Sequence, residues 1–276
     1  MTVPIQDYHL QPREQEQVEE IVPNTQARIH LAFRATITHE SKTIKDGVIA
    51  LSEHLVTVMG RSLIGKALKL HSTFHVFEIN SLQTIDDYTV TILTVNGVYM
   101  IESPAAMRFT RNLIRNYILS NPALPSSLRF NVKFHDVSHF PQFKPPISPS
   151  QTFQFTYSSY CTFYSTTYYH DVPRYIHSLL TSGNCIFDMN QLPIAILESG
   201  FGDFCDIKPI TAALMFFPFI NGIVCSNTTQ PEIFKAVATT IVTNPELKVL
   251  RLVNTGSETG CNEIACAMTT STVSDI

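Results

Sequence analysis

The chain has no tryptophan, no pair of cysteines spaced C-x-x-C, and no strong excess of charge of either sign. Without C-x-x-C there is neither the thiolate clip of small zinc modules nor a thioredoxin-type redox motif. The formal net charge of −4 gives nothing that calls for nucleic acid. No apolar run reaches the roughly 20 residues of a membrane span; the longest, Ile210 to Cys225, is interrupted by Pro218, Asn221 and Gly222. The sequence also lacks G-x-S-x-G, and Gly200-x-Gly202 lacks the third glycine of a dinucleotide fingerprint. Six cysteines lie in the second half, at 161, 185, 205, 225, 261 and 266. A chain this long does not depend on disulfides for a core, and no signal-like segment opens it, so reduced cytoplasmic thiols are expected.

Charge is unevenly placed. Residues 1–24 hold Asp7, Glu14, Glu16, Glu19 and Glu20 against Arg13, whereas residues 28–69 hold seven Lys/Arg against Glu40, Asp46 and Glu53. Such a switch fits an ordinary solvated surface, or one that meets anionic lipid. Within the basic stretch, Gly60 and Gly65-Lys66 have P-loop spacing. Ala67 stands where the motif needs a hydroxyl for Mg²⁺, and a strand pattern follows where it needs a helix, so no nucleotide is expected. His135, Asp136 and His139 have no third ligand and run into Pro141, which argues for a loop without metal. No acid/base or nucleophile constellation stands out. The chain reads as non-catalytic, with no cofactor.

Residues 28–102 alternate as strands do. Ile29, Leu31, Phe33, Ala35 and Ile37 fall on one face, and comparable segments follow at 43–51, 55–59, 74–79, 88–95 and 98–101. Asn96-Gly97 predicts a type I′ hairpin turn. The period then becomes helical. Ser103 suits an N-cap and Pro104 a first turn, Met107, Thr110, Ile114 and Ile118 line a face, and Asn121-Pro122 ends it. Seven antiparallel strands closed by one amphipathic helix make a small barrel. Over residues 25–121 this order resembles a pleckstrin homology domain. Such domains usually carry a Trp in that helix; Phe109 or Tyr117 would fill its place here. The resemblance implies a basic lipid-facing end, with Arg34, Lys42, Lys45, Arg61 and Lys66 as its candidates. At about 1 kcal/mol for each basic residue, they predict weak, salt-sensitive contact with anionic phospholipid.

Residues 122–184 show neither period, and Pro141, Pro145, Pro146 and Pro149 mark a linker rich in Pro and Tyr. Beyond it, Ile220-x-x-Ile223-x-Cys225-x-x-Thr228 recurs 27 residues later as Leu247-x-x-Leu250-x-Leu252-x-x-Thr255. Each is preceded by a helix pattern, which reads as α/β leucine-rich repeats over residues 185–276. Two clear units and no cap predict a fragment of a longer chain.

Barrel, Tyr/Cys-bearing linker and repeats, in this order, are similar to the N-terminal part of the CARMIL family, large cytosolic regulators of actin filament capping. The carrying segments are "YSSYC" at 157–161 and "LKVLRLVNTG" at 247–256. The resemblance implies a multidomain α+β, membrane-peripheral cytoplasmic scaffold of the actin cytoskeleton. Its barrel would touch phospholipid and its repeats would bind cytoskeletal proteins. The alternative is a leucine-rich-repeat interaction scaffold unrelated to actin. The segment that engages capping protein in that family lies past the repeats and maps to no residue of this chain.

Overall fold

The computed structural model describes residues 9–22, 28–62, 67–136, 148–192, 206–227, 231–254 and 258–270. The chain forms two compact units, one of Met1–Ser120 with Ser127–Pro145 and the other of Asn121–Ser126 with Pro146–Ile276.

The first unit opens with helix α1 (Pro12–Ile21). Seven strands follow: β1 (Leu31–His39), β2 (Lys42–Leu51), β3 (Leu55–Arg61), β4 (Leu68–His75), β5 (Ile79–Thr84), β6 (Thr89–Thr94) and β7 (Gly97–Glu102). Helix α2 (Ala106–Ser120) and the short strand β8 (Asn131–Lys133) complete it. Just before α2, Ser103 Oγ accepts from Ala105 N at 3.2 Å while donating to Arg34 O at 2.8 Å, and the helix itself starts at Ala106, past the expected Pro104. The inner sheet face and α2 share the core. Phe109 is fully buried with its ring centroid 5.5 Å from that of Phe33, and Tyr117 lies edge-on to Phe130 at 4.3 Å. Arg108, Arg111 and Arg115 stay exposed on the far side of the helix.

The expected closed barrel is not formed. The strands make one open mixed sheet in the order β4-β3-β2-β1-β7-β6-β5-β8. It curls enough for Tyr99 of β7 to reach Phe74 and Ser72 of β4, but no ladder joins β4 to β5. The physical reason lies at β5. Its outer edge is taken by β8 in parallel, with Ser81, Leu82 and Gln83 opposite Asn131, Val132 and Lys133, so β4 has no partner to close onto. The β6–β7 turn is also displaced by one residue. Thr94 pairs with Gly97, leaving Val95-Asn96 as the loop, and Gly97 supplies the positive φ of 128° just after it.

The second unit holds α3 (Pro149–Phe163), α4 (Asp171–Ser182), β9 (Ile186–Asp188), α5 (Ile207–Leu214), β10 (Gly222–Ser226), α6 (Pro231–Thr243), β11 (Val249–Val253) and α7 (Glu258–Thr270). The stretch read as a linker thus supplies two helices. Phe153, Tyr157 and Cys161 of α3 enter the same core as Phe187, Ile210, Leu214, Phe234 and Ile241. Gly183, at φ 71°, ends α4 in the left-handed conformation that glycine adopts without strain.

The expected leucine-rich-repeat solenoid is likewise absent from the described residues. The 27-residue recurrence is present as two helix–strand steps, α5–β10 and α6–β11, whose strands are the centre and one edge of a three-stranded parallel sheet ordered β11-β10-β9. A solenoid stacks equal repeats. Here β9 has three residues, and α5 packs on α3, a helix that is not part of any such repeat.

Candidate functional site

The five basic candidates separate into two groups and one residue outside the description. Arg34 and Arg61 lie on the outer face of the sheet, away from α2, and both point at α1. Arg34 Nη2 donates to Glu14 Oε2 at 2.7 Å, and Arg61 Nη2 donates to Glu14 Oε1. The backbone amide of Gln11 also donates to Glu14 Oε2, at 2.8 Å, so one carboxylate caps its own helix and pairs two guanidiniums. Burial pushes the Glu14 carboxyl up, but the bonds from Arg34, Arg61 and Gln11, with the Arg61 charge, outweigh this and bring it down to about 2.

A bulge aims Arg61. Between the Ala35–Gly47 and Ile37–Ile44 pairs, Thr36 stands opposite Lys45 and Asp46, with Asp46 at φ 53°. The turned Asp46 carbonyl accepts from Arg61 Nε at 3.0 Å. Gly47 follows because strand approach leaves no room there. A Cβ would stand 2.7 Å from Ile37 Cδ1 and 3.1 Å from the Met59 carbonyl. Gly47→Ala is expected to cost about 1–3 kcal/mol by overpacking, read as a lower urea midpoint with unchanged slope.

Lys42 and Lys45 are exposed and make no ion pair among the described residues. Lys42 sits beside an imidazole cluster. The His39 ring stacks on Tyr99 with centroids 4.1 Å apart, and His71 meets His39 edge-on at 5.8 Å. Partial desolvation first, then the His39 and Lys42 charges, hold His71 below the ordinary imidazole range. The tip of the β6–β7 hairpin adjoins this end, since Glu40 N donates to Val98 O at 3.4 Å. It exposes Leu93, Val95 and Val98. Lys42, titratable rings and apolar side chains thus share one end of the sheet. Lys66 lies outside the described residues. The P-loop-like segment around it connects β3 to β4, with Ser62 N donating to Ala67 O at 2.9 Å, and has the hairpin context rather than the strand-to-helix context of a nucleotide site.

The remaining sequence candidates are simple to place. His135 is tied into a loop by Thr84, whose Oγ1 is 3.1 Å from Nδ1, and by Asp87 at 3.3 Å; His139 lies outside the described residues, as does the Gly200–Gly202 pair. Among the described residues no group of three or more His, Cys, Asp or Glu could hold a metal ion. Burial, with Asp188 adding to it, raises the Cys225 thiol to about 11, so it stays protonated and poorly nucleophilic near neutral pH. On the second unit, an open depression of 370 Å³ is bordered by Tyr175, Leu179, Asp188, Val224, Val249 and Arg251.

No known family profile and no curated protein matches this chain. Solved structures align with parts of it. The C-terminal domain of an unknown protein from Leishmania infantum aligns over 38% of this chain and 94% of its own, at 10% identity and a TM-score of 0.29. Vav1 bound by an allosteric inhibitor aligns over 40% of this chain and 33% of that structure, at 10% identity and 0.31. The hSac2 domain of the human phosphoinositide phosphatase Sac2 aligns over 49% and 93%, at 5% identity and 0.28. The chain therefore spans about a third of the Vav1 structure. DH/PH domains of p115-RhoGEF are also among the matches. With TM-scores between 0.28 and 0.31, these alignments carry no argument about the fold of this chain. At these scores they transfer no activity, ligand or partner, and they add nothing for CARMIL membership or leucine-rich repeats.

Proposed function

We propose that the chain is a non-enzymatic binding protein whose first unit meets anionic phospholipid surfaces weakly and whose second unit binds protein. The observation that supports the lipid reading is the sheet end where exposed Lys42 stands near His39, His71 and the apolar tip of β6–β7, with exposed Lys45 three residues further along β2. Lysine heads near an anionic leaflet contribute about 1 kcal/mol each, and the apolar tip adds shallow insertion. Arg34 and Arg61 do not belong to this surface while Glu14 holds them. The setting implied by the CARMIL resemblance, a membrane-peripheral regulator of the actin cytoskeleton in the cytoplasm, rests on that resemblance alone.

Vesicle co-sedimentation tests the proposal. The full chain is expected to pellet with phosphatidylserine-containing vesicles at low salt and to be released as salt rises. Lys42→Ala with Lys45→Ala should weaken pelleting by about 2 kcal/mol, roughly thirtyfold. Pelleting that ignores both salt and the two lysines would overturn it. A protein-interaction scaffold unrelated to actin is the second reading, favoured by the Asp188- and Arg251-bordered depression on the parallel sheet. A partner whose binding is lost with Arg251→Glu and kept in the lysine double variant would favour it.

A further inference from the structure

The outer face of β1–β4 is covered by α1 in a way that specifies what this face can hold. Glu14, Gln17, Val18 and Val22 of α1 and its C-cap touch it at helical spacing, with partly buried Ile21 packed beside them. Glu14 takes both arginines. Gln17 Oε1 accepts from the Leu68 amide of edge strand β4 at 3.2 Å. Val18 and Val22 are buried against Val48, Ala50, Met59 and Leu68. The opposite side of the helix, with Glu16, Glu19 and Glu20, is exposed.

A ten-residue helix is too short to persist alone in water, so α1 is helical because this face holds it. The face in turn is shaped for a helix. Charge recognition, an amide acceptor and an apolar ridge lie in one row at i, i+3, i+4 and i+8, the pattern by which grooves read amphipathic helices. An anionic membrane would satisfy the arginines but would leave the fixed spacing of the other anchors without purpose. The seat is also incompletely filled. A crevice of 280 Å³ remains between α1 and β1, bordered by Leu10, Val18, Ile29 and Ala32 among others.

We infer that this face is a receptor for acidic amphipathic helices of the pattern Glu-x-x-Gln-Val-x-x-x-Val, occupied in cis by α1, and that its partner is a protein helix of that chemistry which takes the place of α1. The inference is independent of the lipid reading, because it uses Arg34 and Arg61 and makes no use of Lys42 or Lys45.

The experiment uses the full chain. Glu14→Gln with Val18→Asp removes the two chief anchors of α1 and leaves every residue of the receptor face in place. The probe is a fluorescent peptide of residues 9–22, followed by anisotropy. The variant should bind it at least about tenfold more tightly than the unaltered chain, whose own helix competes. Arg34→Glu with Arg61→Glu, added to the variant, should abolish binding, and a peptide carrying Lys in place of Glu14 should restore it. Lys42→Ala with Lys45→Ala should leave peptide binding unchanged, so the lipid reading can fail while this one stands. The inference is overturned if the variant, with β1–β3 still protected in hydrogen exchange, binds no better than the unaltered chain. It is also overturned if the variant pellets with anionic vesicles but ignores the peptide. Hydrogen exchange in the unaltered chain guards against a variant that does not fold: α1 amides should open at lower free energy than those of β1–β3, and equal protection would overturn the inference.

Discussion

Acidification from pH 6.5 to pH 4 is expected to remove about 3 kcal/mol of stability from the first unit, before most carboxylates are protonated. The cause is His54, 4% exposed beneath α2, with Nδ1 3.0 Å from Ser120 Oγ. Burial first, then the charge of nearby His30, lowers its imidazole from 6.5 to about 4. In that window the unfolded chain binds a proton at this site and the folded chain does not. Stability therefore rises with pH through the window and is lost as pH falls. A shift of this size corresponds to about 3 kcal/mol at 1.36 kcal/mol per unit. A second loss follows at lower pH. The Glu14 carboxyl is depressed, so its stabilisation is present above 4.5 and disappears as pH falls toward 2. Urea titrations followed by far-UV circular dichroism at pH 7, 5 and 4 would show the first loss as a falling midpoint. His54→Gln should flatten the dependence between pH 6.5 and 4 and leave the lower step. An unaltered slope in that variant would refute the assignment to His54.

Asn244→Ala should destabilise the second unit by about 2–4 kcal/mol, although it deletes only one small amide. Asn244 is 1% exposed and closes the turn between α6 and β11. Its Nδ2 donates to Leu214 O at 2.8 Å and Phe217 O at 3.1 Å, and its Oδ1 accepts from Glu246 N at 3.0 Å. Removal takes the side-chain donor from buried Phe217 O, worth roughly 1–3 kcal/mol, and the acceptor from Glu246 N, worth about 1 kcal/mol, while Leu214 O keeps the Phe217 amide at 3.1 Å. Asn244→Asp should be no milder, because it sets a carboxylate oxygen against two carbonyls. Thr240→Val offers a contrast. Thr240 Oγ1 also reaches across, to Thr211 O at 3.3 Å, but its closer acceptor is Ala236 O of its own helix at 3.0 Å. Its loss should cost about 1 kcal/mol. Thermal melts of the three variants would rank them, and a near-neutral Asn244→Ala would show that the turn is held by packing alone.

Asn244 also shows where sequence reading stopped. Asn244-Pro245 is legible as a helix stop from local chemistry, but the carbonyls it serves lie some thirty residues earlier. The same division runs through the fold. Alternation marked β1, β2 and β3, and helical period marked α2, because both signals sit within a few neighbouring residues. The three-residue β8 and the bulge at Lys45-Asp46 gave no periodic signal, and without β8 the sheet looked closable. In α3, Thr156, Tyr157 and Cys161 face the core where a clear helix pattern would put aliphatic residues, which is why the stretch read as a linker. The recurrence at 220 and 247 was genuine as sequence, yet a repeat of two helix–strand steps does not by itself specify a solenoid. At the candidate site, charge asymmetry between residues 1–24 and 28–69 was visible. That Glu14 would meet Arg34 and Arg61 was not, since it depends on α1 lying across the outer sheet face.

The strand β8 has a practical consequence for anyone preparing the first unit alone. A boundary drawn just after α2 would strip the parallel partner from Ser81, Leu82 and Gln83. The exposed rim of β5 would then offer unpaired amides and carbonyls to other molecules, a known route to sticky, poorly behaved samples. Expression boundaries for this unit should run through Lys133, even though six intervening residues, Asn121–Ser126, group with its neighbour.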